Sequence, residues 1–239
     1  MLTGKLGLCL RRGVVATLSL FAVATLSLFA SSLTFGEIIA GYPDDFANAY
    51  DPREVAILPA YCKYTQLFRQ HVPGGNDPVE IERMYATLGP GFHALHHYCW
   101  AIMGTHRALF LARTKQARTF YLEYAVKDID FVIANSPNDF VLLPELLTEK
   151  AKNLIRLGKA ETALSALMQA MELKPDYWPP YAVLSDFYKE QGEPAKARDV
   201  LDRGLALMPD AKALRNRASE LARASTKADR TKPRVISKD

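Results

Sequence analysis

The stretch Gly91-Phe92-His93-Ala94-Leu95-His96-His97-Tyr98-Cys99-Trp100 places three imidazoles, a thiol and three aromatic rings within ten residues. On a helix, positions four apart lie on one face, so His93 and His97 point the same way and His96 lies beside them. Two such imidazoles could hold a zinc or copper ion, with Cys99, His106 or His71 as further ligands. The four candidate ligands are therefore His93, His96, His97 and Cys99, but zinc favours four donors and no four stand at a diagnostic spacing. The competing reading is structural: imidazoles and aromatic rings packed between long helices and hydrogen-bonded to their neighbours.

Catalysis has little support. The spacing of the two outer histidines is that of the zinc-peptidase pattern H-x-x-E-H, but His96 stands where the general base belongs. A zinc-bound water would then lack its proton acceptor. Leu157-Gly158-Lys159-Ala160 lacks the upstream glycine and following hydroxyl of a phosphate loop. Neither G-x-S-x-G nor a dinucleotide-binding glycine pattern occurs, and C-x-x-C-H, the haem-attachment motif, is absent. Asp128 and Asp130 are two apart on a predicted helix and face different ways. A non-enzymatic protein with no required cofactor is expected, zinc or copper binding being the alternative.

The chain has 239 residues, about half of them apolar, enough for a sizeable core. Its formal charge of +4 includes Lys5, Arg11 and Arg12, so the remainder carries only +1, which removes most of the case for nucleic-acid binding. Those cations precede residues 13–30, GVVATLSLFAVATLSLFA, a run without a charge. Basic start, apolar middle and small residues at Ala30-Ser31-Ser32 form the layout of a secretory signal. The run is also long enough for a thin membrane span, so residues 1–36 are either a cleaved signal or an uncleaved anchor. Both place the remainder outside the cytoplasm, with a bacterial periplasm the expected compartment and inner-membrane association through residues 13–30 as an option.

Beyond that leader the cysteines are Cys62 and Cys99. An exported protein could join them, closing a loop of about 38 residues worth roughly 3–4 kcal/mol; two buried free thiols are the alternative.

The elements that must carry these side chains are helical. After an irregular start, residues 37–91 read as a helical extension, with one helix at about 59–71 and a shorter one at 78–87, capped by Asp77 with Pro78 in its first turn. Proline-free periodicity predicts a long helix from Phe92 to about Lys115 and a second from about Arg118 to Ala134.

The clearest pattern lies further on. Gly158 matches Gly192, Ala163 matches Ala197, Leu167 matches Leu201, and Leu173-Lys174-Pro175 matches Leu207-Met208-Pro209, all 34 residues apart. Each unit reads as two amphipathic helices joined at a glycine. With Tyr181, Leu184, Ser185 and Tyr188 in the first-helix columns, the pattern resembles the tetratricopeptide repeat. The preceding unit departs more, having Leu147, Lys150, Ala151 and Leu154 there. Ala125, Ile129, Val132 and Pro137 fit second-helix columns, and Trp100, Met103 and Gly104 fit first-helix columns, but the two halves are about nine residues too far apart. Residues 92–137 are therefore read as an elongated, divergent repeat.

The expected fold is all-α: a short solenoid of stacked antiparallel helix pairs with a helical N-terminal extension. Residues 138–224 hold two repeats and a capping helix at about 211–224. Residues 225–239 are expected to be a disordered basic tail. From Lys212 onward there are nine basic and three acidic residues, so contact with an anionic lipid or acidic partner is one reading and a solvated helix face the other. The resemblance implies a scaffold or adaptor whose first helices line a groove for a protein partner. By column that groove holds Glu145, Thr148, Lys152, Ile155, Ala182, Asp186 and Lys189. The columns of the family's carboxylate clamp hold Thr148, Lys152 and Val183, so that binding mode is mostly missing.

Overall fold

In the computed structural model residues 51–231 are described, with side chains through Ala224. The apolar run at 13–30 and the last eight residues lie outside them. Among the described residues every regular element is helical.

The extension opens with α1 (Pro52–Val55), a 3-10 turn at Ala60–Tyr64, and α2 (Phe68–His71). This differs from the single helix expected over 59–71. Thr65 is extended and Leu67 has φ of 70°, so the chain bends twice there. The bends send Cys62, Tyr64 and Phe68 into the interior, where a straight helix would have aligned Tyr61, Tyr64 and Phe68 along one stripe. α3 (Pro78–Leu88) forms as its sequence predicts. The Asp77 carboxylate accepts from the Val79 N–H at 2.9 Å, and Pro78 occupies a first-turn position where its missing N–H costs nothing.

The long helix expected from Phe92 is also broken. A 3-10 turn at Gly89–Ala94 leads into α4 (Leu95–His106), which widens into a π turn at Arg107–Leu111 and stops at Ala112. The Ala112 N–H donates to the Arg107 carbonyl at 2.8 Å, the five-residue reach that defines the π turn. α5 (Lys115–Ala134) then starts earlier than expected, capped by Thr114 Oγ1 accepting from the Ala117 N–H at 3.1 Å. α4 and α5 pack closely where Gly104 lies: a Cβ there would sit 3.4 Å from the Tyr121 carbonyl oxygen.

Two helix pairs follow, α6 (Leu143–Arg156) with α7 (Ala160–Leu173), and α8 (Pro179–Glu190) with α9 (Pro194–Leu207). Their turns are copies of one another. Gly158 and Gly192 have φ of 74° and 75°, a conformation that costs an L side chain about 1–2 kcal/mol. Around them Lys159 N–H donates to Leu154 O and Glu193 N–H to Tyr188 O, each at 2.9 Å. The same offset relates Tyr177→Lys174 and Ala211→Met208 at the ends of the second helices. α10 (Lys212–Thr231) closes the stack, continuing seven residues past the expected boundary at 224. The N-terminal part of the expected tail is thus helix.

The core is continuous from pair to pair. Leu167, Leu201 and Leu214 are fully buried on α7, α9 and α10, and Ala163, Ala170 and Ala197 supply the small side chains that let helices approach. At Gly204 a Cβ would stand 2.8 Å from Leu214 and 3.1 Å from Tyr181, so glycine there sets the fit of the cap. A second cluster joins Phe92, Leu95, Tyr98, Ile129, Val132, Phe140 and Leu146, and Ile133 packs against both.

Candidate functional site

The histidine cluster resolves into three separate polar anchors. Tyr85 Oη lies 2.7 Å from His93 Nδ1, holding α3 against the 3-10 turn. His96 is buried, with Nδ1 3.0 Å from the His93 carbonyl oxygen. His97 Nδ1 lies 2.8 Å from Asp128 Oδ1, tying α4 to α5, and its ring stacks 4.0 Å from that of Phe131. Burial and the neighbouring His97 lower the pKa of His96 to about 4.

Cys99 is the fourth proposed ligand, and it is bonded to Cys62, with the Cα atoms 5.9 Å apart. A disulfide sulfur offers no thiolate, so Cys99 cannot serve a metal. Among the described residues no three His, Cys, Asp or Glu side chains are placed to hold a metal ion. Cys99 is thereby removed from the proposed ligand set, while His93, His96 and His97 have Tyr85, the His93 carbonyl and Asp128 as their neighbours. The cluster fastens helices: Cys62, Phe68, Cys99 and Met103 form a small buried core beneath Trp100.

The groove residues divide. α6 lies directly against α8, so first helices of successive pairs share a face. Between α6, α8 and α10 that face holds a recess of about 300 Å³. Lys152, Ile155 and Asp186, all expected there, do line it, joined by Val183, Phe187 and Arg217. Thr148 and Ala182 do not: they are 1% and 2% exposed, with the Thr148 hydroxyl donating to the Pro144 carbonyl at 2.6 Å. Each sits on the flank of its helix turned into the core. Glu145 accepts a hydrogen bond from the Tyr98 hydroxyl at 2.8 Å, which links α6 to α4 rather than facing a ligand. Burial first, then the Glu145 carboxylate, push that phenol well above its ordinary pKa. Lys189 lies outside the recess, 3.8 Å from Glu220.

Within the recess the charges are largely matched. Arg217 holds Asp186 in a two-pronged pair at 2.8–3.0 Å, and Lys152 pairs with Glu149 one turn earlier. Arg156 lines the same recess, bonded through its guanidinium to Asn153 Oδ1 at 3.1 Å, and burial lowers its pKa. Arg217 was hidden from column matching because it belongs to the cap, where no third unit supplies a register. Its signal was a cation 31 residues beyond an acid, both within the bodies of neighbouring helices rather than at their ends.

On the opposite side α7 and α9 flank a wider crevice of about 510 Å³, with Met168, Tyr188 and Arg203 on its walls. Tyr181 forms its floor and fixes the inter-repeat turn by donating to the Pro175 carbonyl at 3.1 Å.

No described helix is long and apolar enough to cross a membrane. Neither the curated proteins nor the solved structures contain a significant match. Residues 154–229 match the family described as tetratricopeptide repeat. That stretch runs from the end of α6 through α10, where the 34-residue period and the duplicated turns lie, and the match identifies residues 154–229 as tetratricopeptide repeat.

Proposed function

We propose that the protein is an exported adaptor that binds a segment of a protein partner along the face shared by α6 and α8, in the assembly of an envelope complex. Repeats of this family generally serve protein–protein interaction and scaffolding. The observation that carries the reading is the recess between α6, α8 and α10, where apolar Ile155, Val183 and Phe187 alternate with Lys152, Arg156 and the Asp186–Arg217 pair. Such a surface suits an extended or helical peptide with both apolar and charged side chains. Export is supported by the three cations before the uncharged run at 13–30, and by the Cys62–Cys99 bridge, a bond that persists in oxidising compartments.

A photo-crosslinker placed at Phe187 of the full chain, in cells of its native host, tests the reading. It is expected to trap a discrete protein, with Lys152→Glu weakening the yield. A crosslinker at Met168, on the opposite crevice, serves as control. Equal yields from both faces, or none from Phe187, would remove the groove assignment. Lys152→Glu suits the test because its pair among the described residues, Glu149, is solvent-accessible and worth little; Asp186→Lys would also break the tie to the cap.

A further inference from the structure

Five of the surplus residues of the elongated repeat lie in the connection between α4 and α5. In the two regular pairs three residues join the first helix to the second, at 157–159 and 191–193. Between α4 and α5 there are eight, 107–114, beginning with the π turn. The close approach of α4 to α5 is made ahead of the π turn, at Gly104, where a Cβ would meet Ala125 at 3.7 Å. Insertions in repeat proteins map to loops that often carry binding, and π turns recur at functional sites.

This loop presents three consecutive apolar side chains to solvent. Leu109, Phe110 and Leu111 are 38%, 71% and 55% exposed, and Ile57 of the extension, 44% exposed, adjoins Leu109 and Phe110 at the mouth of a small recess. Immediately after them stand Arg113, Lys115 and Arg118, all exposed. None of the three is paired with a carboxylate among the described residues, and no acid occurs from Arg107 to Leu122. The only cation of the loop that turns inward is Arg107, held by Glu54 through two bonds of 2.6 Å, which anchor the base of the loop.

We infer that the 107–118 loop is a membrane-contact element: Leu109, Phe110 and Leu111 enter the interface of an anionic bilayer while Arg113, Lys115 and Arg118 meet its headgroups. An apolar tip followed by unpaired cations is the distribution that a negatively charged lipid surface attracts, since burial of the rings and each nearby cation both favour binding. The inference rests on different residues from the partner groove, which is lined by α6, α8 and α10.

The full chain carrying Phe110→Trp, mixed with vesicles whose acyl chains are brominated, tests it directly. The comparison with the unsubstituted chain removes the signal of Trp100 and Trp178. Because quenching reports contact at the loop, the result does not depend on whether residues 13–30 also hold the protein to the vesicle. Vesicles of phosphatidylcholine and phosphatidylglycerol in equal parts are expected to quench the added indole and shift its emission to the blue. Adding Arg113→Glu and Lys115→Glu is expected to lower that quenching several-fold, with the melting temperature unchanged. Absence of quenching would overturn the inference, as would equal quenching by phosphatidylcholine alone, which would leave no role for the cations. A dimer seen by light scattering that Phe110→Ser returns to monomer, with no quenching by vesicles, would reassign the loop to self-association.

Discussion

Residues 143–207 and residues 51–142 build similar helices from different kinds of contact. In the first region packing is repetitive: Ala163 and Ala197, Leu167 and Leu201, Gly158 and Gly192 do the same work one period apart, and each pair leans on its neighbour. In the second, single long-range ties replace repetition. The Cys62–Cys99 bridge spans 37 residues, Glu54 reaches Arg107 across 53, and His97 reaches Asp128 across 31. A solenoid spreads its stability over many similar interfaces, whereas the extension concentrates its own in a few joints. Breaking one joint should therefore have a larger and more local effect than an equivalent change in the repeats.

The largest effect is expected from Arg107→Ala. Glu54 and Arg107 are each 6% exposed, so removing the guanidinium leaves a carboxylate buried without its partner, at a cost of about 3–5 kcal/mol. Glu54→Leu combined with Arg107→Met should recover most of that in urea unfolding. No recovery would mean that the charges matter beyond their mutual compensation. Next comes Cys62→Ala with Cys99→Ala, which should cost about 3–4 kcal/mol. Hydrogen exchange should then accelerate in residues 51–88 and stay unchanged in α7 and α9. Acceleration spread evenly over the chain would erase the contrast between the regions.

A smaller, pH-dependent effect belongs to His96. Its pKa of about 4 in the folded chain lies below the ordinary 6.5, so the unfolded chain binds the proton more readily between these values. The stabilisation is complete above pH 6.5 and is lost as pH falls towards 4, on the order of 1–3 kcal/mol. His96→Gln should flatten that segment of the pH–stability curve; an unchanged curve would show that other groups set it. The smallest effects, about 1–2 kcal/mol each, are expected from Gly158→Ala and Gly192→Ala, because both turns need positive φ. Equal losses would confirm that the two turns are energetically as well as geometrically alike, and a large inequality would sharpen where the first unit departs from the second.

The repeats were legible because their signals are local and periodic. Glycines at turn positions, alanines at close approaches and prolines after the second helices each report on a few neighbouring residues. The extension was legible only in part. Asp77-Pro78 announced α3, but the bend at Leu67 arises because Cys62 and Phe68 must both reach α4, a demand set by residues thirty or more positions away. The surroundings of the histidine cluster were hidden for the same reason. Helical spacing says which residues share a face, and not that the face is already taken by Tyr85, Asp128 and a disulfide. Thr148 and Ala182 show a milder version: their columns are correct, but a short stack turns those flanks inward. The π turn at 107–111 had no signal of its own; the surplus of about nine residues announced an elongation and neither its form nor its place.

The matched turns at Gly158 and Gly192 carry a consequence for how such a chain can grow. Since the backbone donors and acceptors recur at the same offset, a further block of 34 residues copied in after Pro209 would find each hydrogen-bonding group already provided for. The apolar side of α10, with Leu214, Ala218 and Leu221, would close on the new unit as it now closes on α9. Length in this part of the molecule is therefore an inheritable variable that can change by duplication alone. The bridged and ion-paired extension has no such freedom, and fixes one end while the other is open to lengthening.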